Sequence, residues 1–141
     1  MKILVAADGS RYTKRMLAYL AAHDEWLSSQ QHRYTVLTVV GPIPARAAAA
    51  LSKKIVQDHY SEEAERTLKP IRAFFSKQGI EASFVHRVGA AGEQIAELAR
   101  KGDFDLLMMG SHGHGALAGL VLGSVASRVL ATCAVPVLIV R

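Results

Sequence analysis

Five short apolar runs, KILVAA (2–7), YTVLTVV (34–40), EASFVHRV (81–88), FDLLMMG (104–110) and VPVLIVR (135–141), are spaced along the chain with helix-patterned stretches between them. Brief runs rich in Val, Ile and Leu suit strands covered on both faces, which requires helices above and below one sheet. Right-handed strand–helix–strand crossovers then make the strands parallel. The expected fold is therefore a doubly wound, Rossmann-like α/β domain with a five-stranded parallel sheet and helices on both faces. EASFVHRV alternates polar and apolar residues, so it predicts a strand with one face less buried.

The intervening segments read as four helical regions. Met16, Leu17, Leu20 and Leu27 recur at helical spacing after Asp8-Gly9-Ser10. Beyond Gly41-Pro42-Ile43-Pro44, an alanine-rich stretch opens a long helical region that ends near Gly79 and is kinked or divided at Pro70. Ala91, Ile95, Leu98 and Ala99 mark a short helix closed by Gly102. Ser124 is placed to cap a last helix whose inner face is Ala126, Val129, Leu130 and Cys133. A chain of 141 residues supports one sizeable core, so a single domain over 1–141 is expected.

No apolar run approaches the roughly 20 residues of a membrane span, and no signal-peptide pattern precedes the first run, which points to the cytoplasm and to no membrane partner. The lone cysteine, Cys133, has no second cysteine to pair with and reads as a small buried hydrophobe. A net charge of +5 favours anionic partners, but the basic residues are scattered and aromatics make up 6%, so nucleic acid is not expected.

In an open parallel sheet, ligands collect beyond the carboxyl ends of the strands, where strand order reverses. Asp8, Gly9 and Ser10 follow the first strand, Gly41 the second, Gly89 to Gly92 the third and Gly110 to Gly115 the fourth, so all belong to that edge. Asp103 and Asp105 precede the fourth strand and belong to the opposite edge. Gly110 is followed by Gly113 after two residues, and Gly113 by Gly123-Ser124 after nine. Glycines let backbone approach a ligand closely, and the free amides of Ser124, Val125 and Ala126 at a helix N-terminus attract anions. The segment 111–122 is expected to cover the ligand. Beyond Asp105 the chain has no Asp or Glu, so no carboxylate there repels a phosphate.

Known nucleotide signatures do not account for this spacing. GHGALA (113–118) formally matches GxGxxA, yet it opens no early βαβ unit and no acid follows about 20 residues on. The chain also lacks GxxxxGK[ST] and the SGGxDS loop of the ATP pyrophosphatases.

KILVAADGS at the start, Gly110-x2-Gly113-x9-Gly123-Ser124, and SRVLATCAVPVLIVR at the end together resemble a single-domain universal stress protein of the UspA-like family, in the subclass that retains an ATP-binding motif. The resemblance implies strand order 3-2-1-4-5, ATP binding and a homodimer. It places the adenine-facing aspartate on Asp8 and the apolar wall under the base at Val39 or Val40. Phosphate and ribose contacts fall on Met109, Gly110, Gly113, Gly123, Ser124 and Val125. Magnesium, where present, would ride on the phosphates. Many relatives carry a proline soon after the aspartate and a basic residue after the second glycine; here Arg11-Tyr12-Thr13 and His114 stand there.

Several residues keep two readings. Asp8 is a base or ribose acceptor, or the first residue of an ordinary Asp-Gly-Ser turn. Arg11 is surface charge or leans toward the phosphates. His112 and His114 lack a third ligand downstream, which favours a solvated or phosphate-touching role over a metal site. No Ser/His/Asp set, Cys/His set or paired carboxylates are recognisable at the ligand edge, so no dedicated catalysis is expected. The alternatives are a nucleotide-independent dimeric interaction module and a slow ATPase or autophosphorylating protein, in which Ser111 and Ser124 would lie beside the triphosphate. The apolar VPVLIV run at a sheet edge is the expected homodimer contact.

Overall fold

The computed structural model describes residues 1–27, 31–115 and 121–141. Five strands, β1 (Lys2–Ala6), β2 (Arg33–Val40), β3 (Ala82–Val88), β4 (Leu106–Gly110) and β5 (Val137–Val140), form one parallel sheet in the order β3-β2-β1-β4-β5. The helices are α1 (Arg11–Ala22), α2 (Asp24–Leu27), α3 (Ala45–Ala49), α4 (Lys53–Lys77), α5 (Ala91–Lys101) and α6 (Ser124–Thr132). The fold is the expected doubly wound α/β sheet with strand order 3-2-1-4-5.

Strand alternation divides the core into two layers. Ile3, Val5, Tyr34, Val36, Met108 and Val140 point to one face, where Met16, Leu17 and Leu20 of α1 and Leu68, Ile71 and Phe75 of α4 cover them. Leu4, Ala6, Leu37, Leu107 and Met109 point to the other, under Ile95 and Ala99 of α5 and Ala126 and Val129 of α6. Because side chains alternate with period two, shifting any central strand by one residue would exchange the two sets. Each fully buried Leu or Ile contributes about 1.5–3 kcal/mol, so the register is strongly held. β3 is the less buried strand, with Ser83, Val85 and His86 exposed.

The structure corrects several expected boundaries. Leu27 is buried but belongs to α2, because the chain leaves α1 at His23, whose amide bonds the Tyr19 carbonyl. The alanine-rich stretch and the long helix are separate: α3 ends at Ala49, and Ser52 starts α4 by accepting from the Ile55 amide at 3.2 Å. Pro70 does not divide α4, which runs on to Lys77. Pro70 is exposed, so its ring does not crowd the core. On α6, Ala126 and Val129 are buried as expected, whereas Leu130 is exposed and Cys133 is a half-buried C-cap. The helix ends there, and the short connection to β5 keeps Cys133 from full cover.

Candidate functional site

The strand order reverses between β1 and β4, and a cavity of about 400 Å³ opens beyond their carboxyl ends. That volume lies within the range of small-ligand pockets, about 300–1,000 Å³. All eight expected site residues line it: Asp8, Val39, Met109, Gly110, Gly113, Gly123, Ser124 and Val125. Asp103 and Asp105 lie at the other edge, where Asp105 Oδ2 accepts from the Lys2 amide at 2.7 Å.

The apolar wall follows from strand parity. Leu37 and Val39 face the α5/α6 side, while Val40 packs with the opposite layer. Of the two, Val39 lines the cavity. Met108 and Met109 split in the same way, the first fully buried under α1 and α4, the second on the cavity wall.

Asp8 leads into a tightly bonded turn. Gly9 has φ +78, a backbone conformation natural to glycine, and it turns the chain into α1. Ser10 caps that helix, its hydroxyl accepting from the Tyr12 and Thr13 amides. Asp8 Oδ1 accepts from the Ser10 amide at 2.9 Å and from the Thr13 hydroxyl at 3.0 Å. The turn reading of Asp8 therefore holds for Oδ1. Oδ2 accepts no hydrogen bond among the described residues, and it lies 2.7 Å from where a β-carbon on Gly113 would stand. Asp8 is the one carboxylate among the described lining residues.

Glycine at 110, 113 and 123 has three separate causes. A β-carbon on Gly110 would meet Tyr12 Cβ at 2.7 Å, so β4 and the first turn of α1 touch there. At Gly113 the obstacle is the Asp8 carboxylate itself. At Gly123 it is the backbone of the preceding loop, with His112 Cα at 3.1 Å and the Ser111 carbonyl at 3.2 Å. This last approach lets the Gly123 amide bond the Ser111 carbonyl at 2.8 Å.

The start of α6 differs from expectation. Gly123, not Ser124, is the N-cap, and no side chain caps the helix. Ser124 is the first helical residue, and Gly123 before it packs closely on the Ser111 carbonyl. The first amides of a helix have no partner within it, and those of Ser124, Val125 and Ala126 belong to cavity-lining residues. A helix start carries a partial positive charge, which suits an anion there.

The histidines separate. His114 Nε2 donates to the Asp8 carbonyl at 2.7 Å, joining the glycine loop to the β1–α1 turn. His112 lines the cavity, its Nδ1 lies 2.9 Å from the Ser111 hydroxyl, and its ring packs 5.0 Å from Tyr12. Ser111 is buried and outside the lining, so its expected place beside a ligand is corrected: β4 continues through its amide, which bonds the Val140 carbonyl at 2.8 Å. Arg11 also stays out of the lining, with its guanidinium 4.9 Å from the Tyr12 ring centroid and Nη2 donating to the Tyr12 hydroxyl at 2.9 Å. The expected covering segment 111–122 includes residues 116–120, which lie outside the described residues.

Residues not anticipated from sequence complete the walls. Leu37 has the same parity as Val39, a signal that period two makes available. Ile95 arrives with α5, and Thr13 with the first turn of α1; they require the three-dimensional crossover to be placed. Gly89, with φ +146, turns the chain from β3 into α5, and its amide bonds the Val40 carbonyl at 3.0 Å. Among the described residues, no helix is long and apolar enough to cross a membrane.

Comparison with known proteins agrees with this architecture. The universal stress protein family profile matches residues 1–141. Universal stress protein Sll1388 of Synechocystis is 32% identical over 149 residues, covering 99% of this chain and 97% of its own. The solved structure of MJ0577, a Methanocaldococcus jannaschii protein, superposes with a TM-score of 0.81 at 25% identity, covering 99% of this chain and 94% of that one. An Arabidopsis thaliana universal stress protein family structure with AMP bound superposes with a TM-score of 0.70 at 16% identity, covering 99% and 90%. With its whole length matched and its strand order the same as the resemblance implied, the chain belongs to the universal stress protein family.

Proposed function

We propose that this protein is a stress-response regulator that binds an adenine nucleotide in the cavity beyond β1 and β4, with ATP as the full ligand. The observation that carries the reading is the convergence, on one cavity, of an apolar wall, a donor-seeking carboxylate and an uncapped helix start. The base lies against Val39, Leu37 and Met109, and Asp8 meets the base or the ribose. Gly110, Gly113, Gly123, Ser124 and Val125 take the ribose and phosphates through main-chain amides. Magnesium, when bound, is carried on the phosphates. The AMP held by the Arabidopsis relative supports this chemistry.

The protein works in the cytoplasm as one domain over 1–141 and performs no dedicated catalysis; nucleotide occupancy alters its affinity for itself or a partner. β5 ends the sheet, with Val137, Leu138 and Ile139 only half-buried, and supplies the homodimer contact. Calorimetry with AMP and ATP, alongside the 260 nm absorbance of freshly purified protein, tests the ligand. Binding of neither nucleotide by folded protein would refute the reading and favour an interaction module. Phosphate release above background that is lost in Ser124→Ala would instead favour hydrolysis. Sedimentation showing only a monomer at micromolar concentration would refute the homodimer.

A further inference from the structure

The Thr13 hydroxyl has no bonding capacity left. It accepts from the Asp8 amide at 3.1 Å and the Gly9 amide at 3.2 Å, and it gives its one proton to Asp8 Oδ1 at 3.0 Å. A hydroxyl offers one donor and two acceptor positions, so the two main-chain amides dictate where its proton points. The Ser10 amide adds a second donor to Oδ1. Thr13 is almost wholly buried, so water does not compete with this arrangement. One carboxylate oxygen is thereby occupied from inside the fold, and Oδ2 is left beside Gly113 on the cavity wall.

We propose that Thr13 is a positioning residue that commits Asp8 to selecting a hydrogen-bond donor on the bound nucleotide, through Oδ2 alone. The inference rests on the nucleotide reading above and adds the rule by which the site discriminates. A carboxylate oxygen only accepts, so a ligand presenting a carbonyl or ring nitrogen at that place meets acceptor against acceptor. An N–H or O–H is favoured there. The donor is the 6-amino group of adenine or a ribose hydroxyl, which share this chemistry. The same geometry governs Asp8→Asn. Its amide carbonyl must take the δ1 place, because two donors already aim at it, and its NH2 must take the δ2 place. The substitution then turns the acceptor that faces the cavity into a donor.

The test compares AMP with purine riboside monophosphate, 2′-deoxy-AMP and 3′-deoxy-AMP, each of which lacks one donor, by calorimetry on wild type, Thr13→Val, Thr13→Ser and Asp8→Asn. In wild type, the analogue lacking the recognised donor should bind about tenfold more weakly than AMP, and its identity names the source. Thr13→Val, in which the Ser10 amide alone holds Oδ1, should lower that ratio, while Thr13→Ser, which keeps the hydroxyl, should restore it. Asp8→Asn should lose the preference for AMP; with the amino group as source, it should favour the 6-oxo nucleotide IMP over AMP. Equal binding of all four nucleotides by wild type, or an undiminished ratio in Thr13→Val, overturns the inference. If Thr13→Val does not fold, the wild-type ratios and Asp8→Asn decide it, and an unaltered preference in Asp8→Asn overturns it. Failure of wild type to bind AMP at all refutes the nucleotide reading instead, and shows itself before any ratio is taken.

Discussion

Gly113→Ala separates binding from folding. The backbone at Gly113 is not among the positive-φ positions, so alanine is conformationally allowed there. The added methyl would meet one atom closely, Asp8 Oδ2 at 2.7 Å, with Asp8 Cγ next at 4.0 Å. Relief requires Asp8 to swing away, and its Oδ1 is held by Ser10 and Thr13. The folded protein can yield by rotating that carboxylate, whereas the unfolded chain loses freedom when glycine becomes alanine. The unfolded-chain effect is worth about 0.4–1 kcal/mol and offsets part of the cost of moving the carboxylate, so stability should change less than affinity does. Binding has no such compensation. A hydrogen bond to a charged group is worth about 1.5–3 kcal/mol, so displacing Oδ2 should weaken AMP by about 10- to 100-fold. Thermal melting by circular dichroism and calorimetry with AMP read the two quantities separately. Unchanged affinity in a normally folded Gly113→Ala protein would refute the role given to Asp8 Oδ2 and the reason given for glycine at 113.

Gly110→Ala should behave oppositely, since its methyl meets Tyr12 Cβ at 2.7 Å and the Tyr12 main chain at 3.3 Å; overpacking there should cost about 1–3 kcal/mol in urea unfolding. Tyr34 is buried and its hydroxyl has no hydrogen-bond partner among the described residues, so Tyr34→Phe should stabilise the protein by about 1 kcal/mol, read as a melting temperature a few degrees higher. Burial pushes the Tyr34 hydroxyl up to about 12 from 10.0, which holds the folded state in the protonated form. Its contribution is fully present below pH 10 and lost as pH rises toward about 12, so alkaline unfolding should begin later in Tyr34→Phe. Hydrogen bonds from Arg72, at 3.0 Å to each oxygen, hold the Glu65 carboxyl below its ordinary 4.5; in Arg72→Met, an NMR titration should find it raised.

What could be read from sequence follows from which interactions are periodic. Strand parity places Ile3 and Val5 on one face and Leu4 and Ala6 on the other, and the same rule separates Val39 from Val40 once one strand face is known. The edge that carries the cavity is legible because strand direction assigns Asp8 and Gly110 to one rim. Local breaks are less legible: Ser124 is a plausible cap in sequence, yet Gly123 holds that place, where a β-carbon would come within 3.2 Å of the Ser111 carbonyl. Pro70 does not divide its helix, since the surrounding packing of Leu68, Ile71 and Phe75 continues across it. Thr13 shows where local reading stops. Its place in the first turn of α1 follows from the sequence, but the directed bond that fixes Asp8 exists only because the Asp8 and Gly9 amides fold back onto one hydroxyl. A helix-start threonine and a turn aspartate are each unremarkable by themselves. Their coupling fixes one carboxylate oxygen within the fold and leaves the other at the cavity wall, where the proposed choice of a ligand donor would be made.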